Sequence, residues 1–246
     1  MKNSRQDREE EDVCDFNFSR FFAQCQKIYF AGFVSDPERV KTPKLNRCKN
    51  PVMESIFDWL HSICPLSPGL EAYLVRALKY RKLKRKEFLL KAGMEDRYIF
   101  FIRSGLLRAF YENGETEVSS CFMKEGDVIV SVESFYDQTK SYESIQAIED
   151  SEIYYIGFQE LEFIYREFSE FNVTGRVLAI RWLKLSTRQL YCIRMRSARE
   201  RYDWLMKDSP DLVLRVPVKY LASYLDITND TLKRVRGRAV KTGSIE

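Results

Sequence analysis

The apolar positions along the chain change period three times. From Val52, the run MESIFDWLHSI places Met53, Ile56, Phe57, Leu60 and Ile63 on one helical stripe that stops at Cys64-Pro65. Ser67-Pro68 opens a second helix, with serine as cap and proline in the first turn, carrying Leu70, Tyr73, Leu74 and Leu78. Between Lys82 and Tyr155 the period shortens. Runs rich in β-branched and aromatic residues, such as DRYIFFIRSG, LLRAFYENG and SEIYYIG, are separated by glycine, Asn-Gly or acidic pairs. This spacing predicts an all-β sandwich or barrel, with Gly93, Gly105, Gly114 and Gly126 at turns of positive φ.

Helical spacing returns at Phe158. FQELEFIYREF reads as a short amphipathic helix, and a long helix follows from about Glu170 to Met195. Val173, Val177, Ile180, Leu183 or Lys184, Thr187, Leu190 and Arg194 form an approximate heptad stripe on it. Such a stripe either packs within its own chain or forms the seam of a dimer. SARERYDWLMKDSP reads as a separate helix ended at Pro210, and LVLRVP as a short strand.

Val218 to Arg236 carries the spacing of two short helices across a tight turn. The first is expected from Pro217 to Leu225, with Leu221, Ala222 and Leu225 on one face. Asp226 takes the left-handed turn position that glycine usually fills, and Thr228 can cap the second helix by accepting from the Thr231 amide. The second helix is expected from about Asn229 to Arg238. Leu232 and Val235 face inward, which leaves Asn229, Asp230, Lys233, Arg234, Arg236 and Arg238 to face out. This is the skeleton of a helix-turn-helix, and its basic outer face has about the length a major groove admits. An ordinary helix pair with a solvated charged face is the competing reading.

Composition narrows the picture. With 246 residues, 45% of them hydrophobic and 14% aromatic, the chain can build real cores. The net charge of +4 is mild, so a nucleic-acid reading rests on where the charge sits. No apolar run reaches membrane-spanning length and the start is charged, so a cytoplasmic protein without a membrane anchor is expected. Cys14, Cys25, Cys48, Cys64, Cys121 and Cys192 are scattered and suit reduced thiols. His61 is the one histidine, without evident acidic or cysteine partners in sequence, and reads as a packing or surface residue. Neither a metal-ligand spacing nor a nucleophile–base set stands out, so no catalysis and no cofactor are expected. Four parts follow: 1–51 as extension and linker, 52–169 as the β unit with its flanking helices, 170–196 as the long helix with the candidate dimer seam, and 197–246 as the candidate DNA-binding helix-turn-helix domain.

The order of β unit, long helix, SARERYDWLMKDSP and RVPVKYLASYLDITNDTLKRVR resembles the cyclic AMP receptor protein / fumarate-nitrate regulator (Crp/Fnr) superfamily of bacterial transcription factors. KRKEFLLKAG, YIFFIRSGLLRAFY, Glu125 to Asp127 and SIQAIEDSEI add to the resemblance, which spans about Val52 to Arg236. It implies an α+β chain: a cyclic-nucleotide-binding-like β-roll, a long dimerising helix with Val173, Val177, Ile180 and Thr187 in the seam, and a C-terminal winged helix-turn-helix. It also implies a homodimer on double-stranded DNA, with RNA polymerase as a further candidate contact. Asn229, Asp230, Thr231, Lys233 and Arg234 then occupy DNA-contacting places, with Arg234 suited to guanine. Glu133, Ser134, Glu143 and Ser144 fall in the ligand region. Cyclic-nucleotide binders carry an Arg-Ser pair there whose arginine neutralises the phosphate; this chain has Glu143-Ser144, so cyclic AMP is not the expected ligand. The cysteine spacing does not match the iron–sulfur branch, and the roll lacks the histidine of the haem branch. The pocket is left for an unidentified ligand or none. The alternative is a β-roll adaptor that works through protein partners, with a degenerate helix-turn-helix.

Overall fold

A computed structural model describes residues 51–195 and 197–241. The expectations placed on residues 1–50 and on the tail beyond Lys241 lie outside the described residues, as does the side chain of Arg238.

Two helices lead into the roll, α1 (Pro51–Ile63) and α2 (Pro68–Ala77). As the sequence predicts, Ser67 caps α2 by accepting from the Leu70 amide, and Pro68 sits in its first turn. Contrary to the sequence reading, His61 has an acidic partner: its ring meets the Glu71 carboxylate at 2.7 Å, because α2 folds back beside α1.

Eight strands follow: β1 (Lys79–Leu83), β2 (Phe88–Leu90), β3 (Tyr98–Ser104), β4 (Leu107–Asn113), β5 (Thr116–Met123), β6 (Val128–Ile129), β7 (Ser144–Ala147) and β8 (Ser151–Gly157). They form two antiparallel sheets in the orders β1-β8-β3-β6 and β2-β7-β4-β5. Leu83, Phe100, Ile102, Leu107, Ile145 and Ile153 fill the space between them. The four predicted glycine turns all have positive φ. Gly105 is needed twice over, since φ is 102° and a Cβ there would run into Ser151. A six-residue helix, α3 (Val132–Asp137), interrupts the roll between β6 and β7.

Helix α4 (Phe158–Glu167) and the long α5 (Phe171–Met195) follow, and α4 joins α1 and α2 over the outer face of the first sheet. Leu178 of α5 lines an apolar cavity beneath them, and Trp182 packs on the roll core. The opposite side of α5 is open to solvent: Ile180 is 42% exposed, Leu183 40%, Leu190 47% and Tyr191 55%. Val173, Val177 and Thr187, the other predicted seam residues, are half-buried.

The C-terminal module comprises α6 (Ala198–Asp208), α7 (Pro210–Arg215), α8 (Val218–Tyr224) and α9 (Asn229–Lys241). Ser197 and Glu200 close a reciprocal capping box on α6. The segment LVLRVP is not the strand its β-branched residues suggest. Pro210 in the first turn and Asp211 beside it start a helix, and Leu212 and Val213 are buried on its inner face. Among the described residues no helix is long and apolar enough to cross a membrane.

Candidate functional site

The helix pair forms as its residue pattern requires. Leu221, Ala222 and Leu225 of the first helix and turn pack with Leu232 and Val235 of α9, all buried. Asp226 has φ 52°, the left-handed conformation the sequence reading assigns to it. Arg201 on α6 holds that turn: its guanidinium donates to the carbonyls of Leu225 at 2.9 Å and Asp226 at 3.0 Å, and to the Asp226 carboxylate at 3.3 Å. The Thr228 hydroxyl accepts from the Thr231 amide at 3.2 Å and donates to the Thr231 hydroxyl at 2.9 Å, so the predicted cap of α9 is formed.

Asn229, Asp230, Lys233 and Arg234 are exposed along one side of α9, with Thr231 half-buried between them. Arg234 lies along its own helix, donating to the Thr231 hydroxyl at 3.3 Å, and Lys233 approaches Asp230 at 3.7 Å. Contacts this exposed are weak, so both cations are free to move onto an anionic partner. Arg236 does not face out as the sequence reading has it. It is half-buried and donates to the Val213 carbonyl at the end of α7, where it closes a helix terminus within its own module.

The four predicted pocket residues do not converge on one opening. Glu133 is exposed on α3. The Ser134 hydroxyl is buried, accepting from the Asp96 amide at 2.8 Å and donating to the Thr139 carbonyl at 2.5 Å. Ser144 accepts from the Ala92 amide at 2.9 Å. These hydroxyls are spent on backbone. Glu143 is buried and its carboxylate accepts from Ser120 at 3.1 Å.

Asp96 is a buried carboxylate of this region that the sequence reading missed. It is buried in the loop between β2 and β3, and its carboxylate accepts from the amides of Ser131 at 2.8 Å and Tyr98 at 3.3 Å. A chain of hydroxyls joins it to Glu143: Ser131 contacts Ser141 at 2.9 Å, and Ser141 donates to the Glu143 carbonyl at 2.8 Å. Burial pushes the Asp96 carboxyl up to about 6 against those amide hydrogen bonds, and burial with the nearby Asp96 raises Glu143 as well. Among the described residues neither carboxylate is in an ion pair. Two buried carboxylates without a paired cation disfavour a further anion beside them.

On the outer face of the second sheet, Arg108 of β4 is fully buried. It donates to Gln146 at 2.9 Å and Glu117 at 2.7 Å, and its guanidinium lies between the rings of Phe110, at 3.9 Å, and Tyr220 of α8, at 3.6 Å.

Residues 80–168 match the family model described as cyclic nucleotide-binding domain. No curated protein matches the chain. Among solved structures, a CooA mutant from Carboxydothermus hydrogenoformans is similar over 73% of this chain and 82% of its own, at 21% identity and a TM-score of 0.58. FixK2 from Bradyrhizobium japonicum covers 68% of this chain and 86% of its own, at 15% identity and 0.58. A regulator assigned to the Crp/Fnr family from Eubacterium rectale covers 74% and 87%, at 14% identity and 0.58. At these identities it is the fold that is shared.

Proposed function

We propose that the chain is a DNA-binding transcriptional regulator: residues 80–168 match the cyclic nucleotide-binding domain model, and its fold is shared with Crp/Fnr regulators. The observation that carries this reading is α9 itself: its apolar residues are buried against α8, while Asn229, Asp230, Lys233 and Arg234 stand exposed on one side. A helix of that kind enters the major groove, where Arg234 can read guanine O6 and N7 as a fork and Lys233 can neutralise phosphate.

Two such helices read two half-sites when the protein is a two-fold dimer. The exposed apolar stripe of α5, from Ile180 to Tyr191, supplies a seam for that dimer. The roll acts as the sensor, and its effector is not a cyclic nucleotide: by the resemblance Glu143 stands where the phosphate-neutralising arginine would be, and the buried Asp96 carboxylate lies near it.

Selection of duplexes from a random pool tests the reading. Enrichment of a sequence with two related half-sites supports it; a pool that leaves unenriched contradicts it.

A further inference from the structure

The helix pair is fastened to the roll by side chains that the exposed face of α9 does not use. At α8, Tyr220 lies on the buried Arg108 guanidinium, and Tyr224 meets Phe122 edge-on at 5.1 Å. Beside them the Ser119 amide of β5 donates to the Ser223 hydroxyl at 2.7 Å. β5 is the edge strand of its sheet, so this contact occupies one of the amides that an edge leaves unpaired.

A second fastener of different chemistry sits at α7. Arg215 donates to both oxygens of Glu125 at 2.9 Å, and it also donates to Glu149. Lys124 reaches Asp211 at 2.6 Å. These residues come from the loops that precede β6 and β8, so the clamp joins the module to two separate turns of the roll. The hold of Arg215 keeps the Glu125 carboxyl well below the usual carboxylate range, at about 2.

Neither fastener supplies the contacts between the two helices, which pack through Leu221, Leu225, Leu232 and Val235; that apolar cluster continues into Leu106, Phe122 and Ile148 of the roll, and the polar fasteners flank it. What the fasteners fix is direction. Because α8 packs rigidly on α9, holding α8 and α7 against the roll holds the axis of α9 relative to α5. If α5 carries the dimer seam, that axis determines where the two recognition helices meet the duplex.

We propose that Arg108, through Tyr220, and Arg215, through Glu125 and Glu149, are positioning residues that set the half-site spacing a dimer of this chain accepts. A change of about 3.4 Å in the separation of the two recognition helices, about half of it from each protomer, corresponds to one base pair, so modest loosening of the seat changes the spacing read. The proposal rests on the DNA-binding reading. It predicts a property that the helix pair alone does not supply.

The test uses the full chain and a duplex library in which the two selected half-sites are separated by spacers of every length around the selected one. The wild type is expected to keep one spacing. Arg215→Ala and Tyr220→Ala are expected to bind spacers one base pair longer or shorter with their preference against them reduced at least about threefold, while Tyr220→Phe, which keeps a ring on Arg108, keeps the wild-type preference. Glu125→Gln breaks the clamp from its more exposed end and serves if Arg215→Ala does not fold. Folded variants that lose affinity equally for all spacers, or that keep the single spacing, overturn the proposal while leaving the DNA-binding reading intact. A wild type that enriches no two-half-site duplex overturns both.

Discussion

Arg201 donates to the carbonyl and the carboxylate of Asp226, twenty-five positions later, and so fixes the one left-handed residue in the turn between α8 and α9. Glycine would reach that conformation without cost; aspartate needs about 1 kcal/mol of help. Arg201→Ala is therefore expected to destabilise the module by about 1–2 kcal/mol, since two turn carbonyls lose a charged donor. Asp226→Gly should shift stability by less than about 1 kcal/mol, because relief of backbone strain offsets the lost pair. Urea unfolding of the two variants checks the difference, and a neutral Arg201→Ala contradicts the assignment.

Cyclic AMP should produce no binding heat in calorimetric titration. The carboxylates of Asp96 and Glu143 are both buried, and a cyclic phosphate beside them would add a third anion without a paired cation. Micromolar binding would show that the pocket rearranges around the ligand.

The same two carboxylates give stability a pH dependence. With the Asp96 carboxyl raised to about 6 by burial, the folded protein holds a proton that the unfolded chain releases between about pH 4 and pH 6. Stability should then fall as pH rises through that window, by on the order of 2–3 kcal/mol for a group this buried. Asp96→Asn should reduce the slope without abolishing it, since Glu143 is raised by burial in the same sense. Denaturant midpoints measured across the window decide this, and an unchanged slope in the variant removes Asp96 as the cause.

Ile180→Glu combined with Leu183→Glu should yield monomers by light scattering with the helical circular dichroism retained. Both residues lie on the open side of α5, whereas Leu178 and Trp182 hold its other side to the roll. A dimer that survives both charges must use a different surface.

Much of the fold could be read directly from the residue pattern, because its signals are local. Ser67-Pro68 starting a helix, glycines at positive φ and Thr228 capping α9 are contacts within four residues or less. The readings that the structure changed depend on distant partners. Arg236 borders the inner face at Val235, and only the carbonyl end of α7 draws it inward. LVLRVP has strand-like residues, yet the burial of Leu212 and Val213 against the module decides for a short helix. Ser134 and Ser144 have the right chemistry for a ligand, but backbone amides fifty-two positions or fewer away consume them. Asp96 gave no signal at all in a loop of mixed charge; its role arises from the two amides that the roll brings to it.

Sequencing the duplexes that the wild type and Arg234→Ala each retain from one random pool tests the regulator reading most directly. The account predicts a two-half-site sequence for the wild type, with Arg234→Ala binding it about 1–3 kcal/mol more weakly and tolerating any base at one position of each half-site. Identical, unenriched pools from both proteins would contradict it.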